Sequence, residues 1–217
     1  MYFKKNMLPV IPASEYDDIA TEFLETYFED ALMKPMSVPI YEIASNEMKL
    51  TINECCLSEE SDIYGMTVFS DGYIEVYNPK EELADTLFFK EKTILIDPLA
   101  IQKTNLGCRN NTIAHECFHW YKHRYYYKLQ QLSLPRIAKY CSCSINAAPT
   151  ITEEEQIMEI QAVAMAPRIL MPKMMFIQVA MNFDLLKEKE YAVNELSKFF
   201  QVSKQSALIR LRECRMI

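Results

Sequence analysis

Histidine is scarce in this chain: there are three in 217 residues, all between positions 115 and 123. Any chemistry that needs imidazole has to be done at that one place. Positive charge is not in surplus either, since 23 Lys and Arg stand against 30 Asp and Glu, for a net charge of -7. That balance excludes a general binder of nucleic acid or of anionic membranes, because phosphate attracts clustered basic residues. A DNA contact would have to be local. No uncharged apolar window approaches spanning length, and the stretch from Met1 to Ser14 is interrupted by Pro9 and Pro12. The expectation is therefore a soluble, cytoplasmic protein with no membrane partner.

No Cys-x-x-Cys pair occurs, and the seven cysteines are odd in number and irregularly spaced. They fit a reducing compartment better than a disulfide framework. The close pairs Cys55-Cys56 and Cys141-Ser142-Cys143 lack the further ligands of a second metal site. There is no internal repeat and no low-complexity tract. Half the residues are hydrophobic, enough for a real core in one domain, or one domain with a small appendage.

What is present is the segment His115-Glu116-Cys117-Phe118-His119, a complete HExxH motif. A spacing of four puts both imidazoles on one face of a helix, within reach of a single ion. Glu116 then stands beside the position where water binds, the arrangement of a zinc hydrolase. Cys117 occupies an x position pointing away from the ion, and packing is its expected role.

Around this segment the chain divides into three patterns. From Glu15 to Ala31, after Ser14 as N-cap, Tyr16, Ile19, Ala20, Phe23, Leu24, Tyr27 and Phe28 recur at helical spacing with an acidic outer face. From Lys49 to Asp97 short runs rich in Ile, Val, Thr, Tyr and Phe predict strands. Asp71-Gly72 between Met66-Thr67-Val68-Phe69 and Ile74-Glu75-Val76-Tyr77 predicts a hairpin, and Thr93 to Asp97 a further strand. The motif helix is expected to begin near Asn111 or Thr112 and to run through His123 into a tyrosine-rich stretch. Beyond Pro135 comes a less regular segment through Thr150. A helix from Thr152 to Leu170 follows, with Thr152 and Glu155 in the form of a capping box and Pro172 as its stop. Asn194 to Arg212 reads helix, turn, helix, with Ser203 as the second N-cap.

The fold class is thus α+β. A small, mostly antiparallel sheet packs on the HExxH helix and on a second helix, in the order of a zincin, where an edge strand can hold an extended peptide across the metal. Residues 1–190 form the expected peptidase domain. Residues 191–217 form a helix-turn-helix-like segment.

Two histidines do not complete a catalytic zinc site. The HExxHxxGxxH pattern is excluded, because Lys122 stands where the glycine should be and Tyr125 where the third histidine should be. His123, on an uninterrupted helix, lies about 12 Å along the axis from His115. It serves as a ligand only if the helix breaks after His119; otherwise it is a supporting or structural histidine. The third candidate is a carboxylate on the later helix. Glu159 shares a face with Ala162 and Ala166, small residues that permit a close neighbour, and Glu155, one turn earlier, is its rival. Glu153 and Glu154 suit capping or solvation.

Taken together, Thr112-Ile113-Ala114-His115-Glu116-Cys117-Phe118-His119-Trp120 through His123, with Glu159, Ala162, Met165-Ala166 and Ile169-Leu170-Met171-Pro172 downstream, resemble the ImmA/IrrE family of metallopeptidases. The likeness extends to Tyr64-Gly65-Met66, to Ile94-Leu95-Ile96-Asp97, and to Leu196, Phe199, Val202 and Ser203. It implies a gluzincin-like endopeptidase with Zn2+ on His115, His119 and Glu159 and Glu116 as general base. It also implies a helix-turn-helix repressor of a phage or mobile element as protein substrate, and packing of the helix-turn-helix-like segment 191–217 on the peptidase core. Met165, Val163 and Cys117-Phe118 depart from the family's usual residues without removing a ligand or the base. The residues between His123 and Glu159 are particular to this chain.

The oxyanion partner is not evident. A tyrosine from positions 121 to 127, an arginine or backbone amides would serve, although packing suits each of those tyrosines. A second function of different class is a non-proteolytic zinc-containing regulator, binding DNA or a toxin-antitoxin partner through the C-terminal segment, where Lys204, Arg210, Arg212 and Arg215 are basic. An intact Glu116 speaks for the hydrolase, because a structural zinc site has no use for a base.

Overall fold

The computed structural model describes residues 1–102, 106–131, 140–144 (main chain only) and 152–217. After a short 3-10 turn at Ala13–Glu15, helix α1 (Tyr16–Tyr27) buries Ile19, Ala20, Phe23 and Leu24. Ser14 makes no capping bond. It lies within the 3-10 turn, so the helical path starts a residue before the expected cap.

Strands β1 (Thr51–Glu54), β2 (Ile63–Val68), β3 (Gly72–Asn78), β4 (Leu83–Phe89), β5 (Thr93–Ile96) and β6 (Tyr140–Ser144) build two sheets. The larger has the order β1-β5-β2-β6, and the smaller is the hairpin β3-β4. Within the larger sheet β1 runs parallel to β5, while β5-β2 and β2-β6 are antiparallel. The fold is α+β with mostly antiparallel sheets, as the alternating runs predicted.

The predicted pairing across Asp71-Gly72 does not form. β2 pairs with β5 and β6, and β3 pairs with β4. A two-residue hairpin turn needs positive φ at its central residues, and no glycine in the described chain has it. Asp71 Oδ1 instead accepts from the Glu91 amide at 2.7 Å, which ties the start of the β3-β4 hairpin to its end. The dipeptide is a corner between sheets. Strand β6 lies in the segment expected to be irregular, whose residues 135–139 and 145–150 fall outside the described residues, as do the side chains of Cys141 and Cys143.

The period of two along β2 sorts its side chains between two layers. Met66 and Val68 pack with Leu57, Ile74, Val76 and Leu95 under the hairpin. Gly65 and Thr67 face the motif helix: a Cβ on Gly65 would lie 2.6 Å from Thr112 Cγ2, and the Thr67 hydroxyl reaches Glu116. Behind them stands the principal core, to which β5 contributes Ile94 and Ile96.

Helix α2 (Leu106–Phe118) carries the motif and begins at least five residues before the predicted start. It continues through one turn of π-helix, His119–His123, into α3 (Arg124–Gln131). Helix α4 (Glu153–Leu170) starts as predicted, with Thr152 and Glu155 bonded reciprocally in a capping box. Its Ala162 and Ala166 are fully buried, as is Ala114 on α2, so that small side chains fill the layer between the two helices. Among the described residues no single helix is long and apolar enough to cross a membrane; α4 and the following α5 (Lys173–Ala180), bent by 54°, reach the length only together.

Helices α6 (Lys189–Phe200) and α7 (Lys204–Glu213) follow, with Gln201 in the left-handed region between them and Ser203 capping Ser206 N. Val193, Leu196, Phe200, Val202, Ala207 and Leu211 belong to the principal core. Arg210, expected to add to a basic surface, is 1% exposed and donates to Met171 O, Glu213 and Asp17. Buried guanidinium is kept where it is fully paired. Its partner Asp17 is held below the usual carboxylate range: burial works to raise it, but Arg210, Arg168 and Lys173 together overcome that.

The turn before α7 rests on Gly107, where a Cβ would collide with the Val202 carbonyl carbon and the Ser203 nitrogen. Gly107→Ala should therefore destabilise the protein by about 1–3 kcal/mol, although alanine is the better helix former by about 1 kcal/mol. Urea denaturation checks this, and a stabilised variant would mean that the turn does not sit on α2.

Candidate metal centre

The arrangement starts from the helical period. His115 and His119, one turn apart on α2 and its π extension, point the same way, and their Nε2 atoms are 2.9 Å apart. Glu159, from the first half of α4, closes the group, with Oε2 3.2 Å from His115 Nε2 and Oε1 3.1 Å from His119 Nε2. The three ligand atoms lie within 4.8 Å of one another, and among the described residues this is the group of His, Cys, Asp and Glu that can hold a metal ion. Both imidazoles are fully buried, and the Glu159 side chain is 23% exposed.

Electrostatics follow the packing. Burial alone would raise the Glu159 carboxyl, but the imidazoles of His119 and His115 outweigh it and hold it well below the usual range. Burial pulls His119 down, only partly offset by Glu159. This favours neutral imidazole, the form that donates to a metal. The rival Glu155 is occupied elsewhere, its Oε2 accepting from Thr152 N at 2.8 Å.

Glu116 is fully buried between α2 and β2. Thr67 Oγ1 lies 2.7 Å from its Oε2, while Oε1 has no hydrogen-bond partner among the described residues. A Cβ on Gly65 would stand 3.0 Å from that same Oε1, so the strand needs glycine here to admit the carboxyl. Burial pushes the Glu116 carboxyl up to about 8, against the pull of His115 and the Thr67 hydrogen bond. A carboxyl buried with one oxygen unsatisfied is costly. Carboxyls shifted this far are enriched at functional sites.

His123 does not join the cluster. Its Nδ1 lies 2.9 Å from His119 Nδ1, on the side of that ring away from Glu159, and its Nε2 is 3.0 Å from Gln161 Oε1. The helix is not the regular one expected here, but its π turn shifts His123 behind His119 and not toward the ligand face. Burial and the neighbouring His119 ring hold His123 well below its ordinary value. Gln161 was missed in the sequence; its place two residues after Glu159 on a buried face was the available signal.

Cys117, Tyr121 and Tyr127 resolve as packing, whereas Tyr125 is exposed beside Arg124. Cys117 is fully buried, and burial pushes its thiol up, as befits an inert core residue. Tyr121 packs edge-on against Phe23 and Tyr27, and Tyr127 stacks on Phe69 at 4.2 Å. Beside Glu159 opens a groove of about 790 Å³ between α2, α4 and α7, with Ile160, Val163 and Ile209 among its walls.

Two buried histidines and a glutamate, with a further buried carboxyl next to them in an α+β chain, fit a zinc ion by donor type. Imidazole nitrogen and carboxylate oxygen in a set of three, leaving a fourth place open, are the donors of catalytic zinc. This is the class of site that a metal-dependent hydrolase uses. The family model described as IrrE N-terminal-like domain, a peptidase family, matches residues 101–212, and the chain belongs to this ImmA/IrrE family of metallopeptidases. No curated protein matches the chain.

Proposed function

We propose that the protein is a zinc-dependent, site-specific endopeptidase that cleaves a helix-turn-helix transcriptional repressor of a phage or mobile element in the cytoplasm. His115, His119 and Glu159 would hold the zinc. Residues 1–190 would act as a zincin-like peptidase domain, with 191–217 as a helix-turn-helix-like segment lodged against it. The observation that carries the hydrolytic reading is Glu116: buried, steered through one oxygen by Thr67, and unsatisfied at the other.

When bound, zinc supplies a Lewis acid that polarises a carbonyl and lowers the pKa of water. The chain's own residues do the rest. Thr67 fixes the Glu116 carboxyl so that Oε1 stays free to take a proton from the attacking water. The same oxygen then delivers that proton to the departing amine, so that the base leaves the cycle as it entered. The apolar groove beginning at Glu159 suits substrate side chains next to the scissile bond. The repressor as substrate rests on the family likeness, and burial of Arg210 weighs against DNA reading by α7 itself.

The test is a comparison of new protein N-termini in cells expressing wild type or Glu116→Gln at matched expression and zinc content. A small set of Glu116-dependent cuts within one DNA-binding protein is expected. Identical N-termini in the two cultures, with and without DNA damage, would favour the non-proteolytic regulator.

A further inference from the structure

A histidine that gives its Nε2 lone pair to a metal must carry its proton on Nδ1, so whatever faces Nδ1 decides whether the ring is ready to bind. Behind His119 the structure places an unbroken series of polar atoms. His119 Nδ1 is 2.9 Å from His123 Nδ1, His123 Nε2 is 3.0 Å from Gln161 Oε1, and Gln161 Nε2 is 2.9 Å from Pro9 O. His119 and His123 are fully buried and Gln161 is 2% exposed, so solvent does not substitute for any member.

The far end of the series sets its direction. Pro9 O is a backbone carbonyl and can only accept, so the Gln161 amide must turn its NH2 toward it. Gln161 Oε1 is thereby the atom facing His123 and requires a proton on His123 Nε2. A neutral His123 then presents a bare Nδ1, which accepts from His119 Nδ1–H. His119 is then left without a proton on Nε2, the atom 2.9 Å from His115 Nε2 and 3.1 Å from Glu159 Oε1, so in the metal-free chain the series works against the bond that an Nε2–H would donate to that carboxylate.

We propose that Gln161 and His123, anchored on the Pro9 carbonyl, are positioning residues that hold His119 in its Nδ1–H tautomer, so that its Nε2 is ready for the metal before the metal arrives. The π turn His119–His123 and the edge-on packing of Phe118 against the His123 ring, 5.3 Å between centroids, keep the two imidazoles in register. The N-terminal segment is thus wired to His119 through a main-chain atom, the Pro9 carbonyl.

The inference rests on the zinc reading only in taking His119 to bind through Nε2; the tautomers themselves belong to the metal-free chain. Imidazole nitrogen-15 NMR of the full-length, metal-free protein near neutral pH reads them directly, and with three histidines in the chain each ring is assignable. Protons on His123 Nε2 and His119 Nδ1 are expected. In Gln161→Leu the tautomers of both rings should mix, and zinc affinity should fall about 10–100-fold. A proton on His123 Nδ1 in the wild type would overturn the relay, as would unchanged tautomers and affinity in a folded Gln161→Leu. The wild-type spectrum decides the matter if that variant does not fold. Expected tautomers in a wild type that binds no zinc would instead sink the peptidase reading and leave the relay standing.

Discussion

Glu159→Ala is expected to leave the protein unable to retain zinc through dialysis, with peptidase activity lost in the same step. Outer-shell changes weaken a zinc site about 10–100-fold, and loss of one of three direct ligands should exceed that. Glu159 is the carboxylate that His115 and His119 both face, at 3.2 and 3.1 Å, and its removal leaves two imidazoles on one helix without the group that completes the proposed set. Metal analysis after dialysis reads the effect. So does the thermal midpoint, because a ligand that binds the native state raises stability by mass action and the variant forfeits that rise. Glu155→Ala supplies the contrast. Its carboxylate accepts from the N-cap Thr152 backbone, so the change should cost about 0.3–1.5 kcal/mol of stability and leave zinc content intact. Zinc retained by Glu159→Ala and lost by Glu155→Ala would move the third ligand one turn along the helix.

Most of this centre was legible because it obeys a local period. The spacing of four in His115 and His119, and the small residues on the face of Glu159, survive any reasonable packing of two helices. The same holds for the Thr152 capping box and for the buried stripe of α1. What failed to be legible depends on partners far away in sequence. Asp71-Gly72 has the composition of a hairpin turn, but β2 finds better partners in β5 and β6, and a dipeptide cannot report that competition. Arg210 looked like surface charge because its acceptors, Met171 O, Glu213 and Asp17, include a residue nearly two hundred positions earlier.

His123 sits between these cases. Its spacing from His119 is readable, but the π turn that sets it behind that ring leaves no mark in composition, and its partner Gln161 is on another helix. Thr67 is of the same kind. It is one threonine among several in strand-like runs until the fold lays β2 against α2 and brings its hydroxyl to Glu116.

Glu116→Gln separates the chemistry from the site's architecture. The amide keeps the shape of the side chain and can still hydrogen-bond Thr67, and Glu116 is not among the three proposed ligands, so zinc content should equal that of the wild type. Turnover should fall about 10²–10⁴-fold, the usual contribution of a positioned general base. Wild-type cleavage by this variant would remove Glu116 from the reaction.

The metal-free protein offers a second reading of the same carboxyl. Its folded-state pKa, about 8, is above the ordinary value of 4.5, so the folded state keeps this proton over a range in which the unfolded chain has released it. The native state is therefore favoured most below about 4.5, and the contribution is lost progressively as pH rises toward about 8. Glutamine cannot ionise, so Glu116→Gln should flatten that slope and be the more stable protein near pH 8 when both are stripped of metal. A bound dication would favour the carboxylate and remove much of the difference. Denaturation midpoints across this range, with and without zinc, would show one group that destabilises the empty fold and serves the loaded one, the conflict between stability and function expected where a buried base is kept for its chemistry.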